Sequence, residues 1–355
     1  MMSRERALEE IRGFLKVNVF TADDINTPAD GKGNYPLHLL CRWNAPPELV
    51  ETVVRVFGAD PNALNRDGLP PIAYAILHDS PALVRKMAEL GAELYFPIDQ
   101  ERHFNAVIAA AVSLSESVLR AVLETGGGIH VNKGGIFLRE NRPRDCKALH
   151  IAASNQSVEM IRLLMRAGAQ SEEAAGAPAL TPLQEAASNN RHQAIKVLLE
   201  EGADSGCRDS LKGWTALHHA IANEKYYAVK SLLEGGVNPE TETRSGMTPL
   251  MLAAEVQRNP AILRLLIEAG ADINRAGVTE ARETPLMVAA ARGNYEMVQE
   301  LLQRGADTQL TDAFNKTAAR HAESGNHYGI KQLIVTAQDA AEQKYFEKAY
   351  KRYKP

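Results

Sequence analysis

Cysteine is scarce in this chain, aromatic residues are few, and no stretch is uniformly apolar. The three cysteines of the 355-residue sequence, Cys41, Cys146 and Cys207, are odd in number, far apart and without a Cys-x-x-Cys pair. That argues against a disulfide framework or a zinc cluster and suits a reducing compartment. No apolar run approaches the roughly 18 residues of a membrane-spanning helix. The first residues, with Arg4, Glu5, Arg6, Glu9 and Glu10, lack the apolar core of a secretory signal. The expected location is therefore the cytoplasm, or a host cytosol reached without such a signal. Neither sign of charge dominates: the net charge is −4 and the pI about 6.2. No general affinity for nucleic acid or anionic membrane is expected from that balance.

Signatures of common chemistries are missing as well. There is no HExxH and no GxSxG, and the glycine clusters Gly31-Lys32-Gly33 and Gly126-Gly127-Gly128 lack the spacing of a phosphate loop. No cofactor or metal site is expected. The composition is 45% hydrophobic but only 6% aromatic, which suits short, closely packed helices built on Ala and Leu.

What is present is self-similarity. Thr181-Pro182-Leu183, Thr215-Ala216-Leu217-His218, Thr248-Pro249-Leu250, Thr284-Pro285-Leu286 and Thr317-Ala318-Ala319 open successive units at spacings of 34, 33, 36 and 33 residues. Lys147-Ala148-Leu149-His150 opens another, and weaker openings stand at Tyr35-Pro36-Leu37-His38, Pro70-Pro71-Ile72 and Asn105-Ala106-Val107, making nine in all. Several close on Gly-Ala-Asp, as at 202–204, 270–272 and 305–307. Thr is a good N-cap and Pro suits the first helical position. An apolar-Ala-Ala run then predicts a short helix with a thin face. A polar turn, a second amphipathic helix and a glycine stop follow, and an Asp/Asn/Gly-rich segment predicts a turn or hairpin.

This pattern resembles the ankyrin repeat over about nine-tenths of the chain. The resemblance implies an all-α solenoid of paired antiparallel helices with projecting β-hairpin loops and a concave face. It also implies that the histidines of the opening motif, His38, His150 and His218, brace the hairpins. The expected organisation is an N-terminal capping helix and degenerate half-repeat over 1–34, with a worn hairpin at Ala22-Asp23-Asp24-Ile25-Asn26. The array follows over 35–335, then a capping helix over 336–355. The largest departure is an insertion at 126–146, and such insertions often sit on a binding face.

In the family, partners meet the hairpin tips and the exposed side of the first helices. Carried over by position, this nominates Trp43, Phe104, Trp214, Arg244, Met247, Arg282 and Arg292. The insertion adds Phe137 and Arg139, residue types enriched in interfaces. The expected partner of a monomeric chain is another protein, with no catalytic residues. Two other readings compete. One is an enzyme with a site in the insertion or around Glu185 and His219. The other is anionic-ligand binding by the C-terminal segment, where Lys344, Lys348, Lys351, Arg352 and Lys354 alternate with Tyr345, Phe346, Tyr350 and Tyr353.

Overall fold

Thr284 shows how each unit begins. Its Oγ1 accepts from the Met287 amide, Pro285 takes the first helical position, and Gly293, at φ +74°, ends the helix in the left-handed region. The second helix stops in the same manner at Gly305, φ +89°, whose amide donates to Leu302 O while that of Ala306 donates to Leu301 O. Paired bonds of this kind satisfy the last carbonyls of a helix. Repetition of the motif yields an all-α repeat solenoid. The computed structural model describes residues 3–15, 20–97, 103–139, 142–175, 179–256 and 260–353.

The chain divides by its contacts into two units, 1–182 and 183–355. The first contains α1 (Arg4–Leu15), then the pairs α2 (Pro36–Arg42) and α3 (Pro47–Arg55), α4 (Pro71–Leu77) and α5 (Pro81–Glu89). A short hairpin of β1 (Tyr95–Pro97) and β2 (His103–Asn105) leads to α6 (Ala106–Ser113) and α7 (Glu116–Glu124). A second hairpin, β3 (Gly135–Arg139) with β4 (Arg142–Cys146), leads to α8 (Ala148–Ser154) and α9 (Val158–Arg166). First helices pack in one row, α2 on α4, α4 on α6 and α6 on α8; second helices form another, α3 on α5, α5 on α7 and α7 on α9.

The second unit opens within α10 (Pro182–Ser188), paired with α11 (His192–Glu200). It continues with α12 (Ala216–Ala222) and α13 (Tyr226–Glu234), α14 (Pro249–Val256) and α15 (Ala261–Glu268), α16 (Pro285–Arg292) and α17 (Tyr295–Gln303), and α18 (Ala318–Ser324) and α19 (Tyr328–Tyr353). Here α12, α14, α16 and α18 form the first-helix row. Ala253, Ala254, Ala289 and Ala290 are fully buried on its thin faces, while Leu266, Val298 and Leu301 fill the second-helix side.

Two terminal expectations change. Residues 22–26 form a 3-10 helix rather than a hairpin, because the Asp24 carboxylate accepts from both the amide and the hydroxyl of Thr21 and closes the turn. The helix expected near the C-terminus is not a separate element; α19 runs on from the last repeat without a break. In α1, Ala7 and Ile11 are buried, whereas Leu8, Phe14 and Leu15 are only half-buried.

Candidate partner-binding surface

Hairpin tips carry the first group of candidate residues, and one acidic or amide side chain shapes several of them. Asp209 Oδ1 accepts from the amides of Lys212 and Gly213 at 2.7 and 2.9 Å. Asp312 Oδ1 accepts from those of Phe314 and Lys316, both at 2.8 Å. Asn65 does the same for Asp67 and Leu69 in the first unit. Such Asx turns hold a tight loop without regular strand pairing. In the second unit the tips are also joined backbone to backbone: Arg244 N to Lys212 O at 3.0 Å, Val278 N to Gly246 O at 3.0 Å, and Ala313 N to Ala281 O at 2.8 Å.

Polar side chains at the fourth position of several openings brace the following hairpin. His38 Nδ1 accepts from the Tyr35 amide at 3.2 Å, so Nε2 keeps the proton and donates to Leu69 O at 2.9 Å. His150 Nε2 stands 2.9 Å from Leu180 O. Gln184 fills the position in the next repeat and donates to Cys207 O and Trp214 O. His218 Nδ1 accepts from Thr215 N. Burial, followed by the charges of Arg208 and His219, pushes the His218 pKa down to about 4, against a smaller opposing effect of the Met247 carbonyl. A neutral imidazole is the form that both accepts at one nitrogen and donates at the other. These histidines are structural.

His219 Nε2 lies 3.0 Å from Asp209 Oδ2, within its own repeat, and the Trp214 ring meets its edge at a centroid distance of 5.5 Å. His321 and Asp312 repeat the arrangement at 2.9 Å. A pair that recurs at the same place in two repeats is a clasp for the hairpin. Its acid is supplied from the tip, where the sequence suggested Glu185. Burial tends to raise the Asp209 pKa, but the amides of Lys212, Trp214 and Gly213 and the His219 charge leave it lowered.

The first helices carry the second group. Between α14 and α16 lies a groove of about 290 Å³, lined by Met247, Met251, Glu255, Val288, Ala291 and Arg292 together with Ser245, Thr279 and Glu283. Met251 holds the position that histidine holds in other repeats; it has no N–H to give and leaves a soft apolar floor. Arg292 pairs with Glu255 across the rim, and His321 Nδ1 stands 3.6 Å from Glu283 Oε1.

Met247 and Arg292, chosen from the sequence, thus meet in one groove. Arg282 is exposed at the adjoining tip in a left-handed conformation, φ +54°. Arg244 is exposed, and its guanidinium donates to Ser210 O and Leu211 O. Trp214 is half-buried beneath Lys212, whose Nζ lies 4.1 Å from the ring centroid, and packs on its own repeat. Trp43, at the end of α2 in the first unit, is 42% exposed. Phe104 pairs through its backbone with Phe96, Phe137 with Arg144, and Arg139 with Arg142. The side chains of Phe104, Phe137 and Arg139 lie outside the described residues, as do those of the basic and aromatic positions from 344 onward in α19.

Glu283 stands just before an opening, where the family's binding residues lie, whereas the sequence assigns no contact role to Met251, Glu255 or Val288. The usable signal was methionine in place of histidine in Thr248-Pro249-Leu250-Met251. Among the described residues no group of His, Cys, Asp and Glu could hold a metal ion, and no helix is long and apolar enough to cross a membrane.

Comparison with known proteins places this geometry. The family model described as "Ankyrin repeats (3 copies)" matches residues 134–209 and 183–277, and that described as "Ankyrin repeats (many copies)" matches 275–322. Among curated proteins, the human "Ankyrin repeat and KH domain-containing protein 1" is 35% identical over 80 residues, 22% of this chain and 3% of that protein. The Drosophila melanogaster "Ankyrin repeat and KH domain-containing protein mask" is 38% identical over 73 residues, 21% of this chain and 2% of its own. The human "Ankyrin repeat and SOCS box protein 16" is 40% identical over 83 residues, 23% of this chain and 18% of its own. The matched stretches span only a small part of these relatives.

Proposed function

The chain belongs to the ankyrin repeat family, and from that premise we propose that it is a non-enzymatic module that grips a partner protein through the second unit. Ankyrin repeats generally mediate protein–protein interaction. The observation that supports the reading most directly is the groove between α14 and α16. Its Met247, Met251 and Val288 offer an apolar seat, and Glu255, Glu283 and Arg292 give it a charged rim. A partner's apolar side chain fits such a seat, because methionine adapts its shape and makes favourable contacts with aromatic rings. The exposed rim then excludes water around the anchor, as in measured hot spots. The surface continues along the hairpin tips through Arg244 and Arg282. The site of action is the cytosol, as a single chain. Burial pushes the Cys41 thiol up to about 12, so it is a protonated core residue and not a nucleophile.

Affinity capture from the native lysate tests this reading, with wild-type chain beside a folded Met247→Glu/Ala291→Glu variant. One protein enriched by wild type and reduced at least tenfold by the variant supports it. Equal recovery by both, or none by wild type, removes the groove as the binding site.

A further inference from the structure

We propose that the hairpin ridge of the second unit docks an acidic segment of the partner, one that carries apolar side chains between its acids. The proposal deepens the protein-binding reading above and rests on it.

The ridge is unusual in two respects at once. Leu211, Val278 and Phe314 are exposed by 73%, 73% and 66%, more than any other large hydrophobic residue among those described, and all three stand on hairpin tips. The same tips carry Lys212, Arg244, Arg282 and Lys316, all exposed. The nearby acids are largely engaged within the fold. Asp209 and Asp312 are buried under turn amides and histidines, and Glu242 accepts from Arg275 at 2.7 Å. Glu280 is exposed at a tip, while the exposed Asp204, Asp272 and Asp307 lie at the hairpin bases, each accepting from an amide two residues on. Lys212, Arg282 and Lys316 form no ion pair among the described residues. A chain of net charge −4 therefore presents a locally basic edge with one cation to each tip.

The backbone bonds from Arg244 to Lys212, Val278 to Gly246 and Ala313 to Ala281 hold these tips in a fixed row. A ligand does not have to order them on binding, which removes one of the main costs of association. Exposed cations on such a row speed encounter with an acidic segment and set its register. The interleaved Leu, Val and Phe side chains supply the apolar contact that charge alone does not. They also favour a polypeptide over a nucleic acid, whose phosphates would use the cations and leave the aliphatic tips wet.

Selection of random 16-residue peptides displayed on phage, against the immobilised full chain, tests the proposal. Two variants accompany it: Lys212→Gln/Arg282→Gln/Lys316→Gln and Leu211→Ser/Val278→Ser/Phe314→Ser. All six positions are exposed, and circular dichroism melting checks that each variant folds. The expected peptides are rich in Asp and Glu with interspersed Leu, Phe or Val. They lose at least tenfold in affinity on either variant, and weaken as salt is raised from 50 to 300 mM. Enriched peptides without excess acid, or acidic peptides that bind both variants as well as wild type, overturn the proposal. If those peptides are lost on Met247→Glu/Ala291→Glu, the groove reading survives it. Failure to enrich any peptide counts against both. Tighter binding of a single-stranded oligo-dT than of any selected peptide, lost on the glutamine variant, assigns the ridge to nucleic acid and overturns it too.

Discussion

Gly246 and Val278 meet backbone to backbone at neighbouring hairpin tips: Val278 N–H donates to Gly246 O at 3.0 Å, and a β-carbon on Gly246 would stand 2.6 Å from the Val278 carbonyl carbon. Gly246 also has φ +78°. Both facts require glycine here, one through space and the other through backbone conformation.

Gly246→Ala is accordingly expected to cost about 2–3 kcal/mol, from a left-handed non-glycine residue plus displacement of the next tip. Gly270 provides the comparison, with φ +93° and nothing within 4 Å of an added β-carbon. Gly270→Ala carries only the conformational part, roughly 1 kcal/mol. Urea unfolding of both variants measures the difference; equal losses would mean that the tips do not press on each other.

Acid should weaken the fold through its buried histidines. His218 is held at about 4, well below its ordinary 6.5, by burial above all. Burial likewise lowers His38 and His219. As pH falls below about 6.5, the unfolded chain takes up protons that the folded chain refuses. Stability is therefore full above that pH and is lost towards pH 4. The melting temperature should drop steadily between pH 7 and 4.5, and His218→Gln should make the decline shallower. Glutamine already holds this position at Gln184, where it donates to Trp214 O. An unchanged slope in the variant would exclude His218 as a source.

Leu114 connects α6 to α7 at φ +57° and is 49% exposed, so its side chain contributes little while its backbone is strained. Leu114→Asn should stabilise by about 0.5–1 kcal/mol, since asparagine tolerates the left-handed region. The check is a higher urea midpoint with an unchanged slope. The equivalent Gly293 lies against the His327 ring, so Gly293→Asn should destabilise.

Much of this was legible in the sequence, for local reasons. Thr284-Pro285-Leu286 is a complete helix start on its own, and Gly305-Ala306 a complete stop, so the nine units could be counted without coordinates. The ends were harder. Thr21 and Asp24 close a 3-10 turn that composition alone does not distinguish from a hairpin. Nothing halts α19, because the chain contains no glycine beyond Gly329. The groove was half visible. Met247 and Arg292 follow from their places in the repeat, but Met251, Glu255 and Val288 become its walls only when two repeats are set side by side. Trp214 was nominated for its residue type, and its packing, half-buried against Lys212 and His219, is visible only in the fold.

The methionine substitution at 251 also has a consequence for how the second unit comes apart. Gln184 ties its neighbouring hairpin by two side-chain bonds, while His218 Nδ1 is held within its own opening by Thr215. Met251 and Met287, next in the series, have no donor to offer. The fourth-position ties stop there, and the hairpin of Gly277 to Glu283 is held to its predecessor instead by Arg275 on Glu240 and Glu242 and by the Val278 N–H to Gly246 O bond. Without a fourth-position tie that joint is a seam in the row, so its amides should exchange with deuterium before those of the hairpin that Gln184 ties. An anchor seated against Met247 and Met251 would close the seam and slow that exchange.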